Sequence, residues 1–237
     1  MRIDGRKNDE LRPVSFTCGF NRFAEGSVLV RMGDTVVLCN ASVEDGVPPH
    51  VRQGGWITAE YSMLPRANRS RSRRDISNLK LSARSAEIQR LIGRTLRSAF
   101  DLNSLGERTF TVDCDVLQGD GGTRTASVTG GFLAVYLACR GLVRQGLLDS
   151  VPAVFTAAVS AGIVRDELML DLCYQEDSSA MVDLNCVMTE DGRLIELQGT
   201  GEGRPFTVSE QQKLVSLCEK GIRELITLQR KCLEELE

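Results

Sequence analysis

A mixed α and β fold, with groups of strands alternating with single helices packed on mixed sheets, follows from three observations. Apolar residues alternate with polar ones in several short runs, an amphipathic segment lies at 88–100, and a second amphipathic segment closes the chain from about Glu210. With 237 residues, 42% of them hydrophobic and 26% charged, the chain is long enough to bury a substantial core. Only 6 prolines are present and no low-complexity tract divides it. One unit over 1–237 is expected, built of two βα halves that meet near 145–152.

The first third predicts strands. Residues 27–32 and 35–43 are β-rich runs joined at Gly33-Asp34, a hairpin turn. Residues 56–63 put Ile57, Ala59, Tyr61 and Met63 on one face. After Pro65 and an arginine-dense stretch, Ile88, Leu91, Ile92, Thr95, Leu96, Ala99 and Phe100 recur at helical spacing. Residues 110–117 alternate again, with Phe110, Val112, Cys114 and Val116 together. A glycine turn follows, then an apolar helix over 125–140. Strands are expected at 154–164, 168–174, 181–189 and 194–198, with Asp191-Gly192 as the last hairpin turn. Ser209 and Gln212 fit a capping box for the final helix, whose apolar face is Leu214, Leu217, Cys218, Ile222, Leu225 and Ile226.

Charge and composition narrow the function. The net charge is -3, but between Arg52 and Arg97 eleven basic side chains face three acidic ones, a local excess of eight. A localised basic face attracts a polyanion even on an acidic molecule. The 8 cysteines form no C-x-x-C pair, zinc pattern or secreted-type framework, and read as small buried residues of a reducing compartment. The charged N-terminus has no signal-like apolar region, and no apolar run approaches the ~20 residues of a membrane helix. A cytoplasmic protein is expected. His50 is the only histidine, which argues against a Ser-His-Asp triad or a multi-histidine metal site.

Three clusters could carry chemistry. The turn Asp120-Gly121-Gly122-Thr123-Arg124 links a strand to a helix. Such a turn presents backbone N–H groups and the positive end of the helix dipole together, a setting for phosphate. Thr123 adds a hydroxyl donor and Arg124 a planar fork. No Walker A or dinucleotide fingerprint is present, and a plain β–α connection is the bland alternative. Next, alternation from Val182 sends Asp183 and Asn185 away from the core, with Asp177 six residues before. Two carboxylates near a phosphate suit a divalent cation, Mg²⁺ or Mn²⁺, or one could act as a general acid. A loop carboxylate on a solvated face is the alternative. Finally, Arg66, Arg69, Arg71, Arg73 and Arg74 suit RNA phosphates or the acids of a neighbouring subunit. Arg84, just before the amphipathic helix, could be a fixed anion ligand.

Longer motifs carry a resemblance. RIDGRKNDELRP (2–13), CNASVED (39–45), GWITAEYSMLPR (55–66), EIQRLIGR (87–94), QGDGGTRTAS (118–127), EDSSA (176–180) and ELQGTGE (196–202) occur in that order. In these the chain closely resembles the ribonuclease PH family of phosphate-dependent tRNA nucleotidyltransferases. The resemblance implies a ribosomal-protein-S5-domain-2-like fold and a homohexameric ring, a trimer of dimers. It implies phosphorolytic removal of nucleotides beyond the CCA end of tRNA precursors and from other RNA 3′ ends. Inorganic phosphate would be the co-substrate and nucleoside 5′-diphosphates the products, with nucleotide addition as the reverse. Family phosphate ligands map onto Arg84, Gly122, Thr123 and Arg124, and essential aspartates onto Asp177 and Asp183. Ring-forming arginines map within 66–74. Against the family pattern the loop at 52–56 is a few residues shorter and Gly119 stands where alanine is common; neither is a ligand position.

Overall fold

The computed structural model describes residues 2–74, 77 and 80–236. Two sheets sandwich a helix. The first contains β1 (Val14–Cys18), β2 (Gly26–Met32), β3 (Thr35–Asp45), β4 (Trp56–Met63) and β5 (Arg108–Gln118) in the order β1-β2-β3-β5-β4. Its neighbours run antiparallel except β4 and β5, which are parallel with Tyr61 opposite Cys114. A parallel pair needs a crossover, and α1 (Ala83–Ala99) supplies it. The second sheet orders β6 (Thr156–Val164), β7 (Glu167–Leu170), β8 (Val182–Thr189) and β9 (Leu194–Thr200) as β7-β6-β8-β9. It is antiparallel throughout, so the mixed sheet of the fold is the first one. The links in this half are too short for a helical crossover, and short links make antiparallel neighbours.

The helix between the sheets is α2 (Thr123–Arg144), which packs on β2, β3 and β5 from one side and on β6 and β8 from the other. Fifteen of its 22 residues are buried, which explains a sequence with no polar face. By length and composition alone α2 could cross a membrane, contrary to the expectation that no stretch approaches that length. Its place in the core is the physical reason for that composition. Phe132 meets Phe100 at 5.3 Å and Phe155 at 5.5 Å between ring centroids, joining the halves in one continuous core.

The amphipathic stripe of α1 is buried as its periodicity requires, and Ser82 caps it by accepting from the Ser85 N–H. α4 (Val208–Glu234) closes the second sheet's outer face. Its capping box is Thr207 and Glu210, two residues before the expected Ser209 and Gln212. Thr207 Oγ1 accepts from the Glu210 N–H, and Glu210 accepts from the Thr207 N–H at 2.7 Å. The strand expected at 168–174 stops at Leu170. Asp171 takes a positive φ of 52° and turns the chain into the single helical turn α3 (Tyr174–Asp177). β1 was not foreseen; it is a half-buried edge strand whose pattern is short and weak. Six cysteines are buried, and the half-buried pair Cys18 and Cys232 share a 3.0 Å thiol contact.

Candidate active site

The glycine turn ends β5 and starts α2 at the C-terminal edge of the parallel pair. Gly121 and Gly122 have φ of 75° and 64°, the left-handed region that favours glycine. A Cβ on Gly121 would also lie 2.5 Å from the Leu172 carbonyl oxygen, so the turn is pressed against the α3 segment of the other half. Gly122 is the N-cap of α2 and offers no side-chain cap, leaving first-turn N–H groups for an external acceptor.

Buried polar contacts fix this turn. The Asp120 N–H donates to Thr35 Oγ1 at 2.9 Å, and Thr35 donates to the Gly121 carbonyl at 2.6 Å. Arg12, 4% exposed, donates to the Asp120 carbonyl at 2.5 Å and to Asp171 Oδ1 at 2.7 Å. Arg2 grips Glu176 through two bonds of 2.8 and 2.6 Å and the Leu170 carbonyl at 2.7 Å. The segment 2–12 thus ties the phosphate-type turn to the helical turn that ends in Asp177.

Thr123 is buried, and its hydroxyl meets the Tyr61 phenol on β4 at 2.9 Å. With the phenol donating, the Thr123 hydrogen is free to point at an anion. Arg124 is the second residue of α2, and Arg84 is the second residue of α1. Neither helix has an acid in its first turn. Cations there oppose the helix dipole, so both arginines stand where helix stability alone disfavours them. Both positive charges act on Asp177, and Arg124 acts on Asp183. Two cationic helix starts therefore converge beside the two carboxylates.

Burial pushes the Asp183 carboxyl up to about 6, and Asp177 adds to the shift as a like charge. Arg124 and a 3.1 Å hydrogen bond from the Asn185 amide oppose the rise. Asp177 is raised too, first by burial, with Arg84 countering. Asp183 Oδ1 is buried without a hydrogen-bond partner among the described residues.

The structure thus gathers Arg84, Gly122, Thr123, Arg124, Asp177 and Asp183. The 66–74 loop borders this site. Arg66 donates to the Arg69 carbonyl, Arg69 lies over the Tyr174 ring at 5.7 Å, and Arg74 acts on Asp115 of β5. His50 does not join: it packs edge-on against Trp56 at the opposite end of β4. Sequence reasoning missed Arg12, Thr35, Tyr61, Glu87, Asp171 and Gln198 as site residues. Four of them lie in the quoted motifs (Arg12, Tyr61, Glu87 and Gln198), which is the one signal that could have raised them.

Comparison with known proteins identifies the family. Residues 10–140 match the model of the 3′ exoribonuclease family, domain 1, and residues 155–221 match domain 2 of the same family. The chain is 55% identical to ribonuclease PH of Bacillus velezensis over 239 residues, covering 99% of this chain and 98% of the relative. It is also 55% identical to ribonuclease PH of Bacillus subtilis over 237 residues, covering 98% and 97%. A chain of an archaeal exosome core superposes with a TM-score of 0.76 at 25% identity, covering 97% of this chain and 91% of that one. The fold is of the ribosomal-protein-S5-domain-2 type. The chain belongs to the ribonuclease PH family of 3′ exoribonucleases.

Proposed function

We infer that the chain shortens RNA from its 3′ end, tRNA precursors beyond the CCA end above all, by phosphorolysis at the glycine turn. The observation that carries this reading is the convergence of two helix starts, each with an arginine in second place, on Asp177 and Asp183. Arg84, Thr123, Arg124 and the Gly122 N–H hold inorganic phosphate in line with the last phosphodiester. A phosphate oxygen forms a new P–O bond as the bond to the RNA 3′ oxygen breaks. The proton carried by the phosphate balances the departing alkoxide. The products are a nucleoside 5′-diphosphate and an RNA one residue shorter. Because one phosphate linkage replaces another, excess diphosphate drives addition. Positioning and charge stabilisation carry such a reaction, which asks little covalent help of the protein.

A divalent cation suits the acidic pair. Asp177 and Asp183 offer only hard oxygen donors, and the unpaired, buried Asp183 Oδ1 has an electrostatic use for a positive charge. Held by two carboxylates, Mg²⁺ or Mn²⁺ would keep part of its water shell. Bound there, the cation would neutralise charge on the reacting phosphodiester. Ionised carboxylates holding a cation explain the orphaned oxygen better than a general acid does.

The decisive test compares products with and without inorganic phosphate. Diphosphates formed only with phosphate are expected; monophosphates without it would mean hydrolysis, and no product an inactive scaffold.

The two halves, divided near 145–152, act as one unit, because the site draws residues from both. The 66–74 arginines serve a homohexameric trimer of dimers and the RNA path. Replacing Arg69, Arg71, Arg73 and Arg74 together by serine is expected to give smaller particles in sedimentation. RNA binding should also show a shallower salt dependence, each lost phosphate contact lowering the slope by roughly one. Unchanged sedimentation and an unchanged slope would remove that assignment.

A further inference from the structure

The carboxylate of Glu87 and the amide of Gln198 have no part in the chemistry above, yet both end on Arg124. Arg124 Nη1 donates to Gln198 Oε1 at 2.6 Å and to Glu87 Oε1 at 3.2 Å. Gln198 Nε2 donates to the same Glu87 oxygen at 2.8 Å. The three side chains close a ring of hydrogen bonds. A guanidinium only donates and a carboxylate only accepts, so the group bridging them must do both, which an amide does. The Gln198 bond, with Arg124 and Arg84 adding to it, holds the Glu87 carboxyl below its usual range.

We propose that Glu87 and Gln198 are positioning residues that fix the Arg124 guanidinium for phosphate. Among the described residues, the hydrogen bonds of Arg124 run through Nη1 alone, so its Nε and Nη2 edge stays open to an anion. That edge makes the planar two-oxygen contact that gives arginine its advantage at phosphate. Free rotation of a long side chain would otherwise have to be frozen by each phosphate that binds.

The ring also joins elements that chain order keeps apart. Glu87 stands one turn after Arg84 on α1, so i and i+3 place the anion ligand and the positioning acid on one helix face. Gln198 lies on β9 directly opposite Asn185 of β8, and Asn185 donates to Asp183. One strand pair therefore orients both the guanidinium and the carboxylate that flank the reacting phosphate. The second half of the chain sets the geometry of a ligand carried by the first.

This proposal rests on the assignment of Arg124 to phosphate, and the test separates the two. Steady-state trimming is measured for the full-length Glu87→Ala, Glu87→Gln, Gln198→Asn and Arg124→Ala variants, with KM for phosphate and KM for RNA determined independently. Glu87→Ala should raise the phosphate KM roughly tenfold while the RNA KM stays within about twofold, since loss of orientation falls on one substrate. Glu87→Gln keeps an oxygen that accepts both bonds and should restore most of the loss. Gln198→Asn, too short to bridge, should repeat the selective defect even if Glu87→Ala fails to fold. The double variant of Glu87→Ala and Gln198→Asn should be no worse than the worse single, because both act through one group. Equal rises in both KM values, or a phosphate KM unchanged in Glu87→Ala and Gln198→Asn, would overturn the proposal. A phosphate KM unchanged in Arg124→Ala would instead remove the phosphate assignment, and the positioning role with it.

Discussion

Arg124→Ala is expected to lower phosphate-dependent trimming by about 100-fold, a loss on the order of 3 kcal/mol of transition-state stabilisation. RNA affinity should remain close to that of the parent, because the arginines of the 66–74 loop are untouched. The physical case lies in what Arg124 does not do for the fold. It sits at the start of α2, where a positive charge opposes the helix dipole, and its side chain is 16% exposed. Its partners Glu87 and Gln198 keep their bond to each other when it is removed. The variant loses one ion pair and the charge that offsets the burial of Asp183, so it should melt only modestly lower than the parent while losing about 100-fold in activity, a separation that a structural arginine would not give. Arg124→Lys should recover little, since a point charge lacks the planar fork. Trimming by Arg124→Ala at near the parental rate, measured at saturating RNA over a range of phosphate, would sink the assignment.

The parts of this site that were legible in the sequence are those written in local periods. Alternation over β4 and β5 and the stripe on α1 placed these two strands and the helix between them, and two adjacent glycines before a helix marked the turn between Asp120 and Arg124. Alternation along β8 likewise sent Asp183 off the core. What escaped was set by contacts between distant residues. Gln198 and Glu87 are 111 positions apart, and Arg12 and Asp171 are 159 apart. No window on the chain records that Arg12 will clamp the glycine turn. The same contact explains the false strand at 168–174: the apolar run is real, but Asp171, held by Arg12, turns the chain after Leu170. The displaced start of α4 has a different cause. Two candidate capping boxes overlap in sequence, and the one at Thr207 prevails with both of its reciprocal bonds formed.

Asp183→Asn should abolish trimming and, in the same molecule, raise stability. Burial and the neighbouring Asp177 push the Asp183 carboxyl from its ordinary 3.8 up to about 6 in the folded state. The folded form then holds its proton to higher pH than the unfolded form does. Stability therefore falls as pH rises from about 4 to about 6, and above that the full penalty stands. For a group this far from solvent the penalty is about 3 kcal/mol. An uncharged amide of the same shape avoids it, so in metal-free buffer at pH 7.5 the variant should melt roughly 8 °C higher than the parent. At pH 4 the folded parent holds the proton and the unfolded chain holds it only in part, so most of the gain should be lost. Mg²⁺ should close the gap at pH 7.5 by stabilising the parent alone, because binding to the folded form adds stability only where the ligand is held. A variant that melts at or below the parent at pH 7.5 would show that the Asp183 charge is already well compensated within the chain, leaving no electrostatic reason for a cation at the acidic pair.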